Sequence, residues 1–457
     1  MPRHVVLVLA LLVLVECEAF GSPDSGFRSP PGTNHPHLPN IFLITVDTLR
    51  ADHCSGYGYS RPTTPNIDRL LQGGACFIQA RTVEPLTNPA LCSLLTSMYP
   101  HEHGATRNGL PLRPNLLSLP KLLRSKGYHT AAFVGNWTLK DKLSGLAQHF
   151  DTYEGVFTRK RWLGLLKGEA SAEDLTERAL AWIEEYFAAP RAQPLLLWLH
   201  YVDPHAPYRF HEEQARQIGL EEATSVGAPD RYDTEIAFAD HHIGRLLAGL
   251  ARHSPQSETL VVFAADHGES LGEHGDWGHG RHLFEQALRI PMALLWAGRI
   301  RPRRIDAPAL NIDLAPTILG LIDLRAPGSF EGYDWSGVLD GSEPPRGRVT
   351  RYEAHRGAVM SRSHPDSSRR SGLLEIGLID GAAKEIVRVR EGKRSLYDLN
   401  ADPGETRTLA SSGTSLSGSL AVWMGAVYKG LEAADGSPRP HVDPETIEEL
   451  QSLGYAR

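Results

Sequence analysis

The sequence predicts an α/β protein built on a parallel sheet, with one large domain and a smaller one appended. Two apolar runs, Asn40–Val46 and Val261–Ala265, each stop abruptly at an aspartate, Asp47 and Asp266. Buried strands of a parallel sheet end this way when they reach the rim where open α/β sheets place their ligands. Strand-like runs alternate with helical stretches such as Ala172 to Tyr186, as a βα pattern requires. A chain of 457 residues is also long for a single hydrophobic core. From about Arg348 to Tyr397 the pattern changes to short strands separated by turns, with Ser361 to Ser371 expected to be a mobile loop.

Taken in order, the chain begins with a targeting segment. Arg3 and His4 form a short basic region, Val5 to Val15 an apolar stretch, and Cys17-Glu18-Ala19 places small residues three and one before a cut. Cleavage is expected after Ala19, so residues 1–19 are a signal peptide and the protein is exported, periplasmic or secreted. The apolar stretch is too short to span a bilayer and no later run approaches the required length, so no transmembrane segment is expected in the mature chain. An uncleaved interfacial anchor is the alternative. Residues 20–39, rich in Pro, Ser and Gly, read as a linker. Cys54, Cys76 and Cys92 then remain, an odd number whose spacing matches no metal framework, and they read as buried small hydrophobes. With 41% hydrophobic and 22% charged residues the composition is that of an ordinary globular protein. A formal charge of -7 leaves no footprint for a polyanion, so no nucleic-acid partner is expected.

The chemistry starts at the two strand ends. Two strands of one parallel sheet that both finish in carboxylates can bring Asp47 and Asp266 to the same rim, as the halves of a metal site. Capping of the following turn is the structural alternative for Asp47. Thr64 to Leu71 reads as a capped amphipathic helix after the first strand. The second strand runs into Asp266-His267-Gly268, with His274, His279 and His282 close behind. Any one of these histidines could belong to a polar loop; an adjacent carboxylate and imidazole at a strand end point to metal chemistry. The third stretch is Glu84-Pro85-Leu86-Thr87-Asn88-Pro89-Ala90-Leu91-Cys92-Ser93-Leu94-Leu95-Thr96-Ser97-Met98-Tyr99-Pro100-His101.

Here the chain resembles the sulfatase family of the alkaline phosphatase superfamily. That family places its nucleophile, usually a Cys converted to formylglycine, two residues before a Pro and ahead of a helix reading Ser-Leu-Leu-Thr-Gly and then Tyr-Pro-His. Laid on this chain, the nucleophile position is Thr87. Gly127 to Thr138, His200 to Tyr208, Tyr232 to Leu247, Asn311 to Thr317 and Ser395 to Glu405 are similar to further family blocks, in the same order and at the same spacing. The resemblance implies an alkaline-phosphatase-like mixed sheet flanked by helices in a catalytic domain over residues 40–340. A small antiparallel sheet with a helix would follow over 341–457.

By the same resemblance, one divalent cation is held by Asp47, Asp266, His267 and the Thr87 oxygen. Oxygen-rich ligation with one imidazole suits Ca, Mg or Mn, and Zn is also tolerated. His205 would protonate or position the leaving group, and His279 would bind the anion or activate water. Asn136, Thr138 and His200 would contact the substrate, a small-molecule, glycan or lipid-headgroup anionic ester. Several positions depart from the family pattern. Thr48 stands where many members have a second metal-binding Asp, Leu91 where they have an Arg, Asn136 and Thr138 where they have Lys and His, and His279 where they have Lys. The implied activity is a sulfatase or a phosphodiesterase acting through Thr87. Asp-His-Gly-Glu-Ser-Leu-Gly-Glu also resembles the metal loop of phosphoethanolamine and glycerol-phosphate transferases, which leaves such a transferase, or an inactive binding protein, as alternatives.

Overall fold

In the computed structural model, the residues described are 38–158, 160–161, 166–167, 169–189, 193–220, 227–357, 372–409 and 415–435. The expected signal peptide, nearly all of the linker and the expected loop at 361–371 lie outside them. The chain from Leu38 onward forms one compact unit.

The large sheet contains β1 (Asn40–Val46), β2 (Ala75–Arg81), β3 (His129–Val134), β4 (Thr152–Gly155), β5 (Leu195–Tyr201), β6 (Thr259–Ala265), β7 (Met292–Leu295) and β8 (Arg303–Leu310). Their order across the sheet is β8-β2-β7-β6-β1-β5-β3-β4. Only β7 runs against its neighbours, which makes the sheet mixed. The central strands β1, β5 and β6 are apolar at almost every position and buried on both faces, as strands covered by helices on either side must be.

The helices that matter most for the site are α1 (Pro65–Gly73), α2 (Thr87–Thr96), α3 (Ala172–Ala188) and α4 (Ala228–Ala251). The predicted helix at Ala172 is capped by the Ser171 side chain, which accepts from the Asp174 N–H at 3.1 Å. The helix read at Thr64 forms, but Thr64 does not cap it with its side chain: its hydroxyl oxygen accepts the Ser55 N–H at 3.0 Å and donates to Asp68 Oδ1 at 2.8 Å. Cys54, Cys76 and Cys92 are buried free thiols, as expected.

The second sheet is antiparallel, in the order β9 (Thr350–His355), β10 (Leu373–Asp380), β11 (Ala383–Arg388), β12 (Lys393–Asp398). With helix α5 (Ser415–Asp435) it builds a second core around Tyr352, Ile376, Leu378, Leu420 and Val427. Val83, Tyr99 and Leu310 from the first part of the chain complete that core. No described helix is long and apolar enough to cross a membrane.

Candidate metal centre and active site

Strand register delivers the functional groups. Val46 pairs with Ala265, so the next residues, Asp47 and Asp266, leave the sheet side by side at its carboxyl rim. Thr45 pairs with His200, and His200 with Val134, so His200 sits just inside the same rim and β3 carries Gly135 and Asn136 over it. Thr87 is the first residue of α2, at the positive end of the helix dipole.

These groups form a buried cluster. Asp47, Thr87, Asp266 and His267 are completely shielded from solvent. One oxygen of each carboxylate and a ring nitrogen of His267 lie within 4.8 Å of one another. His267 Nε2 is 3.5 Å from Asp266 Oδ2 and 3.9 Å from Asp47 Oδ1. Thr87 Oγ1 stands 3.3 Å from the same nitrogen. The other ring nitrogen, Nδ1, is 2.9 Å from the carbonyl oxygen of Gly268. A carbonyl can only accept, so Nδ1 carries the proton and the Nε2 lone pair faces the carboxylates.

Each carboxylate is held by one oxygen and bare at the other. Asp266 Oδ1 accepts the backbone N–H of Thr48 at 3.1 Å and of His267 at 2.7 Å. Asp47 Oδ2 accepts from Asn136 Nδ2 and faces His200 Nε2 at 3.6 Å. Asp47 Oδ1 and Asp266 Oδ2 are buried without a hydrogen-bond donor. Two orphaned anionic oxygens beside an imidazole lone pair and a hydroxyl fit a divalent cation. Titration behaviour leads to the same fit. Burial, and then the charge on Asp47, push Asp266 well above the ordinary carboxylate range. Burial would raise Asp47 too, but His200, His205 and His267 hold it below that range. Both carboxylates can ionise together only with a positive charge between them. Burial also keeps His267 well below the ordinary imidazole value, in the neutral form that a metal requires.

Two more histidines face this cluster. The His279 ring lies 4.4 Å from that of His267 and 5.2 Å from that of His205. Its Nδ1 is 3.2 Å from Glu269 Oε1. Burial opposes charging of His279, but the Glu269 carboxylate outweighs it and the imidazole is pushed up. Glu269 is the residue that sequence reading passed over. A Glu two residues after the Asp-His pair was the available signal, and only the fold shows that it is buried. His274 and His282 turn elsewhere, the first stacked on Phe284 and the second 2.8 Å from Glu375.

Asn136, Thr138 and His200, expected to contact substrate, are engaged behind Asp47. Asn136 Oδ1 accepts from both the N–H and the hydroxyl of Thr138, each at 2.7 Å, while its amide nitrogen donates to Asp47. His200 Nδ1 is 2.9 Å from Thr45 Oγ1. All three are fully buried, and Leu91 lies in the main apolar core.

A family model described as Sulfatase matches residues 39–324. The N-acetylglucosamine-6-O-sulfatase of Bacteroides thetaiotaomicron is 23% identical over 455 residues, covering 77% of this chain and 78% of that protein. A solved structure concerned with the metabolism of multiple glycosaminoglycans by Bacteroides thetaiotaomicron shares the fold, with a TM-score of 0.70 at 19% identity over 91% of this chain and 99% of its own. The phosphonate monoester hydrolase of Silicibacter pomeroyi shares it as well, with a TM-score of 0.64 at 20% identity over 87% and 96% of the two chains.

Proposed function

This chain belongs to the sulfatase family of ester hydrolases, and from that premise we propose that it cleaves a monoanionic phosphodiester or phosphonate monoester, with a sulfate ester second, using Thr87 as nucleophile. The observation that carries the reading is the Thr87 hydroxyl at the amino end of α2, 3.3 Å from His267 Nε2 and beside the bare carboxylate oxygens.

The family is metal dependent, and Asp47, Asp266, His267 and Thr87 would hold the ion. A bound divalent cation supplies a lowered hydroxyl pKa and a polarised ester oxygen. The chain's own groups do the rest. Thr87 yields its hydroxyl proton to water as Oγ attacks phosphorus, the bond from phosphorus to the alcohol oxygen breaks, and that oxygen takes a proton from His205, which regains one from water. Water then attacks the threonine ester, its proton passes to His279 held by Glu269, and the bond from phosphorus to Oγ breaks as His279 hands that proton on to Oγ.

Residue chemistry argues for the phospho-ester. Formylglycine releases sulfate by breaking its own C–O bond from a hydrated aldehyde, and a threonine ester has no second hydroxyl with which to do so. Charge argues the same way. Leu91 is apolar and the Asn136 amide is engaged with Asp47, so the site carries fewer fixed cations and favours a monoanion over a dianionic phosphate monoester. The likeness to a phosphonate monoester hydrolase supports the reading, and the relative named for N-acetylglucosamine-6-O-sulfate supports an anionic ester on a sugar or similar small alcohol. We further propose export, with Phe20 as the first residue of the mature protein. Matched aryl sulfate, phosphodiester and phosphonate substrates decide the matter. The expected order places kcat/KM for the phosphodiester or phosphonate above that for the sulfate. A much higher value for aryl sulfate, lost in Thr87→Ala, would overturn the leaving-step argument.

A further inference from the structure

We propose that Thr234 and Glu235, neighbours on α4, are positioning residues that hold the loop after β5 so that His205 reaches the departing alcohol of the ester. The proposal rests on the reading of His205 as the group that protonates that alcohol, and it is independent of which ester is cut.

The chain leaves β5 at Tyr201 and runs through Val202-Asp203-Pro204-His205-Ala206-Pro207-Tyr208-Arg209-Phe210-His211. His205 takes its place from the backbone of this loop. Its N–H donates to Val202 O at 2.7 Å, and its ring Nδ1 lies 2.7 Å from the carbonyl oxygen of Ala206. A carbonyl can only accept, so Nδ1 donates to it, and in the protonated ring Nε2–H is the donor that an alcohol oxygen would take. The ring stands 5.2 Å from that of His279, which places it over the site. An imidazole bonded to the next carbonyl of its own loop moves whenever the loop moves. A general acid must stand within about 2.6–3.2 Å of the oxygen it protonates, and a displacement of about 1 Å costs on the order of a hundredfold in rate.

Packing alone does not fix this loop. Asp203, Pro204 and His205 are buried, but Ala206 and Tyr208 are half-buried and Pro207 and Arg209 are exposed. Hydrogen bonds to two helices hold it on either side of His205. Upstream, Asp203 Oδ2 accepts the N–H of Ala172, the first residue of α3, at 2.6 Å. Downstream, Glu235 Oε1 accepts the Arg209 N–H at 2.6 Å, and Glu235 Oε2 lies 3.0 Å from His211 Nε2. Thr234 Oγ1 accepts the His211 N–H at 3.2 Å. The Tyr208 ring packs edge-on against Tyr232, and the His211 ring stacks on Phe238, both from α4. Glu235 is 1% exposed, and a carboxylate so deeply buried is costly unless donors meet it. An apolar side chain at this position would pack at less cost, so the use of the carboxylate is its hold on the loop.

The test uses the full chain as isolated and the methylphosphonate monoesters of nitrophenol, chlorophenol and phenol. For each ester, kcat/KM reports the step in which the alcohol leaves. Nitrophenolate departs readily without a proton, whereas phenol gains most from an acid. Glu235→Ala is therefore expected to lower kcat/KM by about tenfold or more for the phenyl ester and by less than about threefold for the nitrophenyl ester. His205→Ala should show the same selective loss, and adding Glu235→Ala to it should cost little more. A parallel loss across the three esters in Glu235→Ala, or no loss, beside a selective loss in His205→Ala overturns the proposal and leaves the reading of His205 standing. No selective loss in either variant refutes that reading and the proposal with it. Should Glu235→Ala fail to fold, Thr234→Val removes one loop bond at nearly constant volume. It should lower kcat/KM more for the phenyl than for the nitrophenyl ester, and equal effects on the two would overturn the proposal. The same three alcohols are presented as sulfate esters if those are cut faster, with the same outcomes, and a chain that cuts no ester refutes the reading and the proposal together.

Discussion

The proposed function gives the Thr87 side chain, at the first position of α2, the role of nucleophile. Its hydroxyl lies beside the groups that would hold the ion, so its removal should be felt in the chemical step and little in binding. Thr87→Ala is expected to lower kcat by about a thousandfold or more. Thr87→Ser keeps the hydroxyl and should retain roughly a tenth of the rate or better. Steady-state kinetics on the best phospho-ester checks both, and equal rates for Thr and Ala would remove Thr87 from the mechanism. The same residue-scale logic applies to His279, whose value depends on Glu269 rather than on its own exposure.

At the scale of elements, the loop after β6 is shaped by close backbone approach. Gly268 donates its N–H to Ala287 O at 2.8 Å, and Glu269 donates to Gln286 O at 3.0 Å. A Cβ on residue 268 would stand 2.0 Å from Gln286 O, against backbone that cannot yield cheaply. Because the Gly268 carbonyl also orients the His267 ring, Gly268→Ala should cost about 1–3 kcal/mol of stability and weaken metal binding together. Thermal denaturation and metal titration test this. A variant unchanged in both would show that the loop has room to spare. Strand β1 presents the opposite case, an apolar run buried throughout whose only chemical output is the aspartate at its end.

At the scale of the whole molecule, buried charges join the second sheet to the catalytic part of the chain. Lys384 Nζ lies 3.0 Å from Glu285 and 2.7 Å from Glu405, and Arg81 shares Glu285 at 2.8 Å. His101 pairs with Glu353 of β9, which also accepts from His355 at 2.9 Å. Burial opposes charging of His101, but Glu353 outweighs it and the imidazole is raised. Burial likewise opposes ionisation of Glu353, but His101 and His355 bring it down to about 2. The raised imidazole contributes stability that is complete below its unfolded value of about 6.5 and is lost as pH rises through its folded value. The depressed carboxyl contributes stability that is complete above its ordinary 4.5 and is lost as pH falls through about 2. Both contributions coexist between those ordinary values. Glu353→Gln should therefore cost about 3–5 kcal/mol near pH 6, where it strands a buried charge, and less near pH 9. Equal losses in Tm at the two pH values would show that the pair is not ionised in the folded protein.

The sequence by itself determined the parts of this protein that are local. An apolar run and the polar residue that ends it can be read from composition alone, so Asp47, Asp266 and His267 were legible as strand-end groups, and the shift from long βα units to short strands announced the second sheet. Thr87 was legible through its motif. Tertiary structure alone decided strand order, the reversed β7, and which oxygen of each carboxylate is free. Strands buried on both faces carry the same apolar pattern whatever their neighbours or direction. The contacts that arm the site, Thr48 to Asp266 across 218 residues and Asn136 to Asp47 across 89, exist only once that order is set. Asn136 therefore reads in the sequence as a neutral substitute facing substrate, and becomes in the fold the group whose amide donates to the buried carboxylate of Asp47.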